Sequence, residues 1–254
     1  MIILLSSSKR MNFNGASDLN FENTPVFIKD SERLIRLMRK FRISDLIKLM
    51  NISHKLAETN YNWFQEWQYP YDLNRARPAL FSFTGDVYDG FKARELTFQQ
   101  IELADKKVRI LSGLYGILKP TDLILPYRLE MATEVSGNNF NNLYDFWKSK
   151  LSRYLEKELK STKSNTVVNL ASLEYTNAID LKKLKADIIT PSFLEFKNGE
   201  FKFISINAKR ARGLMTRYII EENIENTEHL KLFTAGGYSF DDKLSKNNKW
   251  VFIK

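Results

Sequence analysis

The chain contains no cysteine. That absence excludes disulfides, thiolate metal centres, iron–sulfur clusters and any peroxide chemistry run on a thiol of this chain. Histidine is nearly as scarce, with only His54 and His229, far apart in sequence. A Ser-His-Asp triad and an iron site of two histidines and a carboxylate both lose their basis. Glycine patterns of the Walker and Rossmann type are missing as well. No apolar run approaches bilayer-spanning length, and Met1-Ile-Ile-Leu-Leu5 lacks the basic flank and length of a signal segment. The expectation is therefore a cytoplasmic protein with no membrane partner, no metal site and no cofactor.

What is present is a large apolar complement and an excess of positive charge. Of 254 residues, 43% are hydrophobic and 13% aromatic, enough for a sizeable core. The net charge of +9 favours a polyanion or an acidic metabolite as partner, the alternative being a basic soluble protein with neither. No repeat, linker or shift in composition divides the chain, so a single domain over residues 1–254 is expected.

Periodicity supplies the elements. Met1–Leu5 reads as a buried strand, followed by a polar loop, Ser6-Ser-Ser-Lys-Arg10, with donors for an anion, and a surface connection, Asn12–Thr24. Helices are expected over Asp30–Phe41, Ser44–Met50 and Ser53–Trp67, then over Phe98–Leu111, Tyr144–Leu159 and Ala208–Glu222. Strand-like runs are Thr166–Ala171, Asp187–Thr190, Ser192–Phe196, Glu200–Ile206 and Lys249–Lys254, with Asn198-Gly199 as a hairpin turn. Thr84-Gly-Asp86 reads as a turn and Phe233–Tyr238 as a loop. The fold class is mixed α/β (α+β), a central mixed sheet flanked by helices.

Three segments hold most of the chemistry. Leu111–Met131 is too irregular for a core helix and too apolar for a solvated loop, and it offers Arg109 at its entrance, then Tyr127, Arg128 and Glu130. Arg128 and Glu130 lie two apart, on one side of an extended backbone, as a fold clasp or a catalytic arrangement. Gly113-Leu-Tyr-Gly116 has the bare spacing of a nucleic-acid clamp or of simple turn punctuation. Asn169, Ser172, Glu174 and Tyr175 follow a strand end, where sites of mixed sheets tend to lie. Lys209, Arg210, Arg212 and Arg217 crowd one half of a helix: Lys209 and Arg212 share one face, Arg210 and Arg217 another. They form either an anion site or a basic face neutralised by Glu221 and Glu222.

A fourth signal is cationic only. Arg33, Arg36, Arg39, Lys40 and Arg42 precede Leu49–Ala57, which reads as helix, turn and helix with Ser53-His54-Lys55 in the turn. Over about residues 30–67 this is similar to a helix-hairpin-helix whose cations, Lys55 among them, hold DNA phosphates, or it is an ordinary helical corner.

Phe83-Thr-Gly-Asp-Val-Tyr88, Leu111–Gly116, Pro126-Tyr-Arg-Leu-Glu-Met131, Asn169-Leu-Ala-Ser172 with Glu174-Tyr175, and Ala208-Lys209 with Ala211-Arg-Gly213 together resemble the YaaA family of peroxide-stress resistance proteins. The likeness runs the length of the chain with order and spacing kept. It implies a cytoplasmic bacterial protein tied to oxidative stress and limitation of free iron, one that binds double-stranded DNA or another polyanion through a basic cleft. No reaction is attached to the family as a whole. The family's first loop reads Ser-Pro-Ala-Lys where this chain has Ser6-Ser7-Ser8-Lys9, so the charge is kept and the proline rigidity lost.

Two functions follow. In the first, Arg33, Arg36, Lys40, Lys55, Arg210 and Arg217, with Lys9, Arg128, Lys209 and Arg212, contact DNA phosphates. In the second, Lys9, Arg128, Lys209 and Arg212 hold a nucleotide-like or other anionic substrate, Glu130 and Glu174 serve as acid and base, and Tyr127 and Tyr175 orient it. Convergence of these residues in one pocket, or their scatter, separates the two.

Overall fold

The computed structural model describes residues 1–14 and 21–254, so part of the Asn12–Thr24 connection lies outside the described residues. The chain runs through β1 (Ile2–Ser6), β2 (Arg10–Met11), α1 (Ile28–Met38), α2 (Ile43–Met50), α3 (His54–Glu66), β3 (Arg77–Pro78), α4 (Ala79–Ser82), β4 (Phe83–Thr84), α5 (Asp86–Phe91) and α6 (Phe98–Lys107). It continues through β5 (Val108–Ser112), β6 (Gly116–Leu118), β7 (Leu123–Ile124), α7 (Leu143–Ser161), β8 (Thr166–Asn169), α8 (Leu173–Thr176), β9 (Asp187–Lys197), β10 (Glu200–Lys202), α9 (Ser205–Glu221), β11 (Ser239–Lys246) and β12 (Lys249–Ile253).

The main sheet has the order β11-β12-β9-β8-β1-β5-β6, with β10 pairing β9. Its centre is parallel: β1 pairs β5 and β8, and β9 pairs β8 and β12. Antiparallel partners close both edges, β6 on β5 and β11 on β12. A parallel strand covered on both faces reads as an unbroken apolar run, which is why Ile2–Leu5 is buried at every position. Helix α7 buries Leu143, Phe146, Trp147, Leu151, Leu155 and Leu159, and Asn142 caps it by accepting from the Asp145 amide at 2.9 Å. The mixed α/β class with a central mixed sheet is as the sequence predicts.

Four boundaries differ from expectation. The helix expected over Phe98–Leu111 ends at Lys107, and Val108–Ser112 is a fully buried strand beside β1. Its apolar run satisfies either period, and pairing with β1 decides. The runs on either side of Pro191 are one strand, β9. The Thr190 amide donates to Asn248 O at 2.7 Å, so the ring nitrogen of Pro191 faces the other edge, where β8 pairing has already ended at Ile189. Helix α9 begins at Ser205, which cuts short the strand expected to Ile206. The turn between α2 and α3 is Asn51-Ile52-Ser53, with Asn51 left-handed at φ 49° and Ser53 capping, so His54 and Lys55 belong to the helix.

Neighbouring strands β1 and β8 send the chain in opposite directions, β1 toward β5 and β8 toward β9. Their exit loops must diverge, leaving a crevice at the carboxyl ends of the strands.

Candidate functional site

The crevice is a cavity of about 240 Å³. Its floor is the β1 exit: the Ser172 amide donates to Ser6 Oγ at 2.9 Å, and the Tyr88 hydroxyl donates to Ser6 O at 3.0 Å. Ser6 thus joins the β1 and β8 loops to α5. Over them lies α9, brought close because Gly90 and Gly213 face the opposing backbone. A Cβ on Gly213 would stand 1.8 Å from Val87 O, and one on Gly90 2.2 Å from Arg210 O. This contact lays Lys209 and Arg212 along the cavity wall with Lys9, Arg10, Asp86, Glu174 and Tyr175.

The charges differ in how they are met. Lys9 pairs with Glu130 at 2.5 Å, and Arg128 pairs with the same carboxylate at 2.9 Å. Arg128 Nε is buried with no hydrogen-bond partner among the described residues. Glu174 accepts from the Ala132 amide at 3.3 Å. Among the described residues Lys209 and Arg212 form no ion pair. Burial alone lowers the pKa of Arg212, with no carboxylate to offset it. Tyr88, Tyr127 and Tyr175 are each pushed far above the usual phenol range, burial being the main cause. They stay protonated at neutral pH and can donate, as Tyr88 does to Ser6 O at 3.0 Å, while the Tyr127 and Ser112 hydroxyls share a 2.6 Å contact.

The structure sorts the residues predicted from sequence. Lys9, Lys209, Arg212, Glu174 and Tyr175 line the cavity. Arg128, Glu130 and Tyr127 line a hollow of about 10 Å³ that shares Ser7, Ser8, Lys9 and Tyr175 with it, so the two carboxylates lie in one neighbourhood. Arg33, Arg36, Lys40 and Lys55 are exposed on the helical segment away from the cavity, Arg33 paired with Asp30 at 3.4 Å. Arg210 is exposed outside the cavity lining, and Arg217 is held by Glu95 and Glu221. Arg109 is a structural residue, bidentate to Glu158 of α7. The two glycines of Gly113-Leu-Tyr-Gly116 are packing devices: Gly113 abuts Leu129 O, and Gly116, at φ 71°, abuts the Trp147 ring.

Sequence reasoning missed Thr84, Asp86 and Tyr88 as site residues. Two local signals mark them, the Phe83–Tyr88 motif itself and, within it, Gly85, whose φ of 99° turns β4 into α5 and sets Asp86 on the cavity lip.

Fold and site define a class: a single mixed α/β domain with a partly unneutralised cationic cavity at a switch point of its sheet. A family model described as "Peroxide stress protein YaaA" matches residues 1–244. Relatives named "UPF0246 protein" are 45% identical over 252 residues in Aliivibrio fischeri, covering 99% of this chain and 97% of that protein. In Flavobacterium johnsoniae the figure is 43% over 254 residues, covering all of both chains, and in Shewanella oneidensis 42% over 254 residues, covering 100% and 99%. The chain belongs to the YaaA peroxide stress protein family, and its role is related to peroxide stress. Among the described residues no helix is long and apolar enough to cross a membrane.

Proposed function

We propose that the chain serves the peroxide response by binding, and acting on, a small anionic molecule in the cavity between β1, β8 and α9. One observation carries this reading: Arg212 is half-buried beside Lys209 in the cavity wall with no carboxylate among the described residues to neutralise it. A withdrawn, unpaired guanidinium is costly unless a ligand completes it. Lys209 and Arg212 hold the anion. Glu174 faces the same space with one amide contact and is the acid–base group. Tyr175 and Tyr127 donate hydrogen bonds that orient the ligand or a neighbouring hydroxyl. Glu130, already claimed by Lys9 and Arg128, positions Lys9 and is not itself the base.

Calorimetric titration with inorganic phosphate and small carboxylates tests this. Arg212→Gln combined with Lys209→Gln is expected to weaken the preferred anion at least tenfold. Equal affinity in wild type and variant, or no binding by wild type, overturns the proposal.

A second reading has its own support. Arg36, Lys40 and Lys55 are exposed and unpaired among the described residues, as phosphate contacts to a nucleic-acid backbone would be. Duplex binding across a salt series tests it. Reversing the three charges should flatten the salt slope by about 0.9 per lost contact, and an unchanged slope rejects the reading.

A further inference from the structure

A second cavity, of about 300 Å³, adjoins the first, and Thr84 and Tyr88 line both. Its composition is different. Phe81, partly exposed, supplies aromatic surface over the buried Phe83, and the Arg94 guanidinium stands 5.8 Å from the Phe81 ring centroid. Its polar groups are of both signs: Asn12, Asp89, Lys92 and Glu95 line it, and Lys92 and Glu95 pair at 3.2 Å. Asp89 is exposed and forms no ion pair among the described residues. Lys92 and Arg94 are balanced here by Asp89 and Glu95, so this lobe offers no excess of positive charge for a second phosphate. It suits a flat, uncharged group that stacks on an aromatic or guanidinium face and exchanges hydrogen bonds at its edge.

The two lobes thus call for different chemistry on a shared border formed by Thr84 and Tyr88. Resting on the anion reading above, we propose that they form one bipartite site for a nucleoside monophosphate or an equally built phosphorylated heteroaromatic. The phosphate lies against Lys209 and Arg212, the sugar passes Thr84 and Tyr88, and the base stacks at Phe81 and Arg94. Both volumes are individually of the order that holds part of such a molecule, and pockets for ligands of this size run to roughly 300–1,000 Å³. The joined site gives the phosphate orientation that neither lobe supplies alone.

The test compares three probes on the intact chain by calorimetry: inorganic phosphate, the free nucleosides, and the 5′-monophosphates of adenosine, guanosine, cytidine and uridine. At least one monophosphate is expected to bind tenfold or more tightly than phosphate. Arg94→Ala, at an exposed position, should return that affinity to the phosphate level without changing phosphate binding itself. Phe81→Leu should do the same, which guards against a local packing defect in either variant. The proposal is overturned if every monophosphate binds no more tightly than phosphate, or if Arg94→Ala and Phe81→Leu weaken phosphate and monophosphate alike. Failure of the underlying anion reading has a different signature, phosphate binding that is absent or insensitive to Arg212→Gln.

Discussion

Arg109, near the start of β5, and Arg212, on α9, are both withdrawn from water, but only the first has a carboxylate to face. Arg109 is 2% exposed, grips Glu158 with two nitrogens, and donates further to Asp105 O at 2.7 Å. Burial opposes its charge, yet the Glu158 carboxylate outweighs that and raises its pKa. Arg212 shows the other sign, a pKa lowered by burial with nothing to compensate. A fold places a charge inside for itself when it also places the counter-charge. Where the counter-charge is missing and a cavity opens instead, the missing partner is the ligand.

The comparison predicts unequal stability effects. Arg109→Ala leaves Glu158, 10% exposed, without its cation, and should cost about 3–5 kcal/mol in urea or guanidinium unfolding. Arg212→Gln removes a charge that no described residue neutralises, and should change stability by less than about 1 kcal/mol or increase it. Equal losses would break the distinction. Asp122 extends it to an acid. It is buried, accepts from the Lys119 amide at 2.8 Å and forms no ion pair among the described residues, and burial pushes its pKa up to about 7. The folded state therefore keeps this proton above the pH at which the unfolded chain, near about 3.9, releases it. Its contribution to stability is full below about pH 4 and is lost as pH rises toward 7. Asp122→Asn should flatten the stability profile across that window and leave the variant about 2–4 kcal/mol more stable than wild type at pH 8. A profile unchanged by the substitution would show that Asp122 is already ionised in the fold.

The α5–α9 contact is the next test. Gly213→Ala forces a methyl group into the Val87 carbonyl and should cost about 1–3 kcal/mol, because backbone faces backbone and neither can yield cheaply. It should also weaken anion binding, since Lys209 and Arg212 ride on the displaced helix. Destabilisation with unchanged anion affinity would separate the helix contact from the site.

These residues also show how far the sequence can be read. Ile2–Leu5 and Val167–Val168 are legible as strands because burial on both faces leaves an unbroken apolar run. The arrangement of Arg128 and Glu130 on one side of an extended chain was legible for the same local reason. Helix α5 was not, since Asp86–Phe91 is too short to show a 3.6-residue period and is stabilised by Gly90 and Gly213 packing rather than by its own pattern. Strand β11, Ser239–Lys246, is polar and largely exposed at a sheet edge, so its pairing with β12 defines it. The cavity draws on four separate segments, and no periodicity reports which strand ends are neighbours. Lys209 and Arg212 were readable as one helical face, but the unpaired state of Arg212 emerges only when the fold shows which carboxylates fail to reach it.

The smallest effect concerns Glu130, which stands between the two kinds of region. Lys9 is 57% exposed and Glu130 20% exposed, so their pair is well screened and contributes little to stability. Glu130 also pairs with Arg128, 16% exposed, and a glutamine keeps an oxygen that can accept from it, so Glu130→Gln should shift unfolding by about 1 kcal/mol. Its effect on the cavity is electrostatic: a negative charge disappears while Lys9 and Arg128 remain, so the preferred anion should bind a few-fold more tightly. Lys9→Gln in the wild-type background should change affinity less than Arg212→Gln does, because the Lys9 charge is already neutralised. Those two outcomes together assign Glu130 to holding Lys9. If instead Glu130→Gln abolishes turnover of a bound substrate while leaving its affinity intact, Glu130 is the reacting carboxylate and the division between satisfied and waiting charges must be redrawn around it.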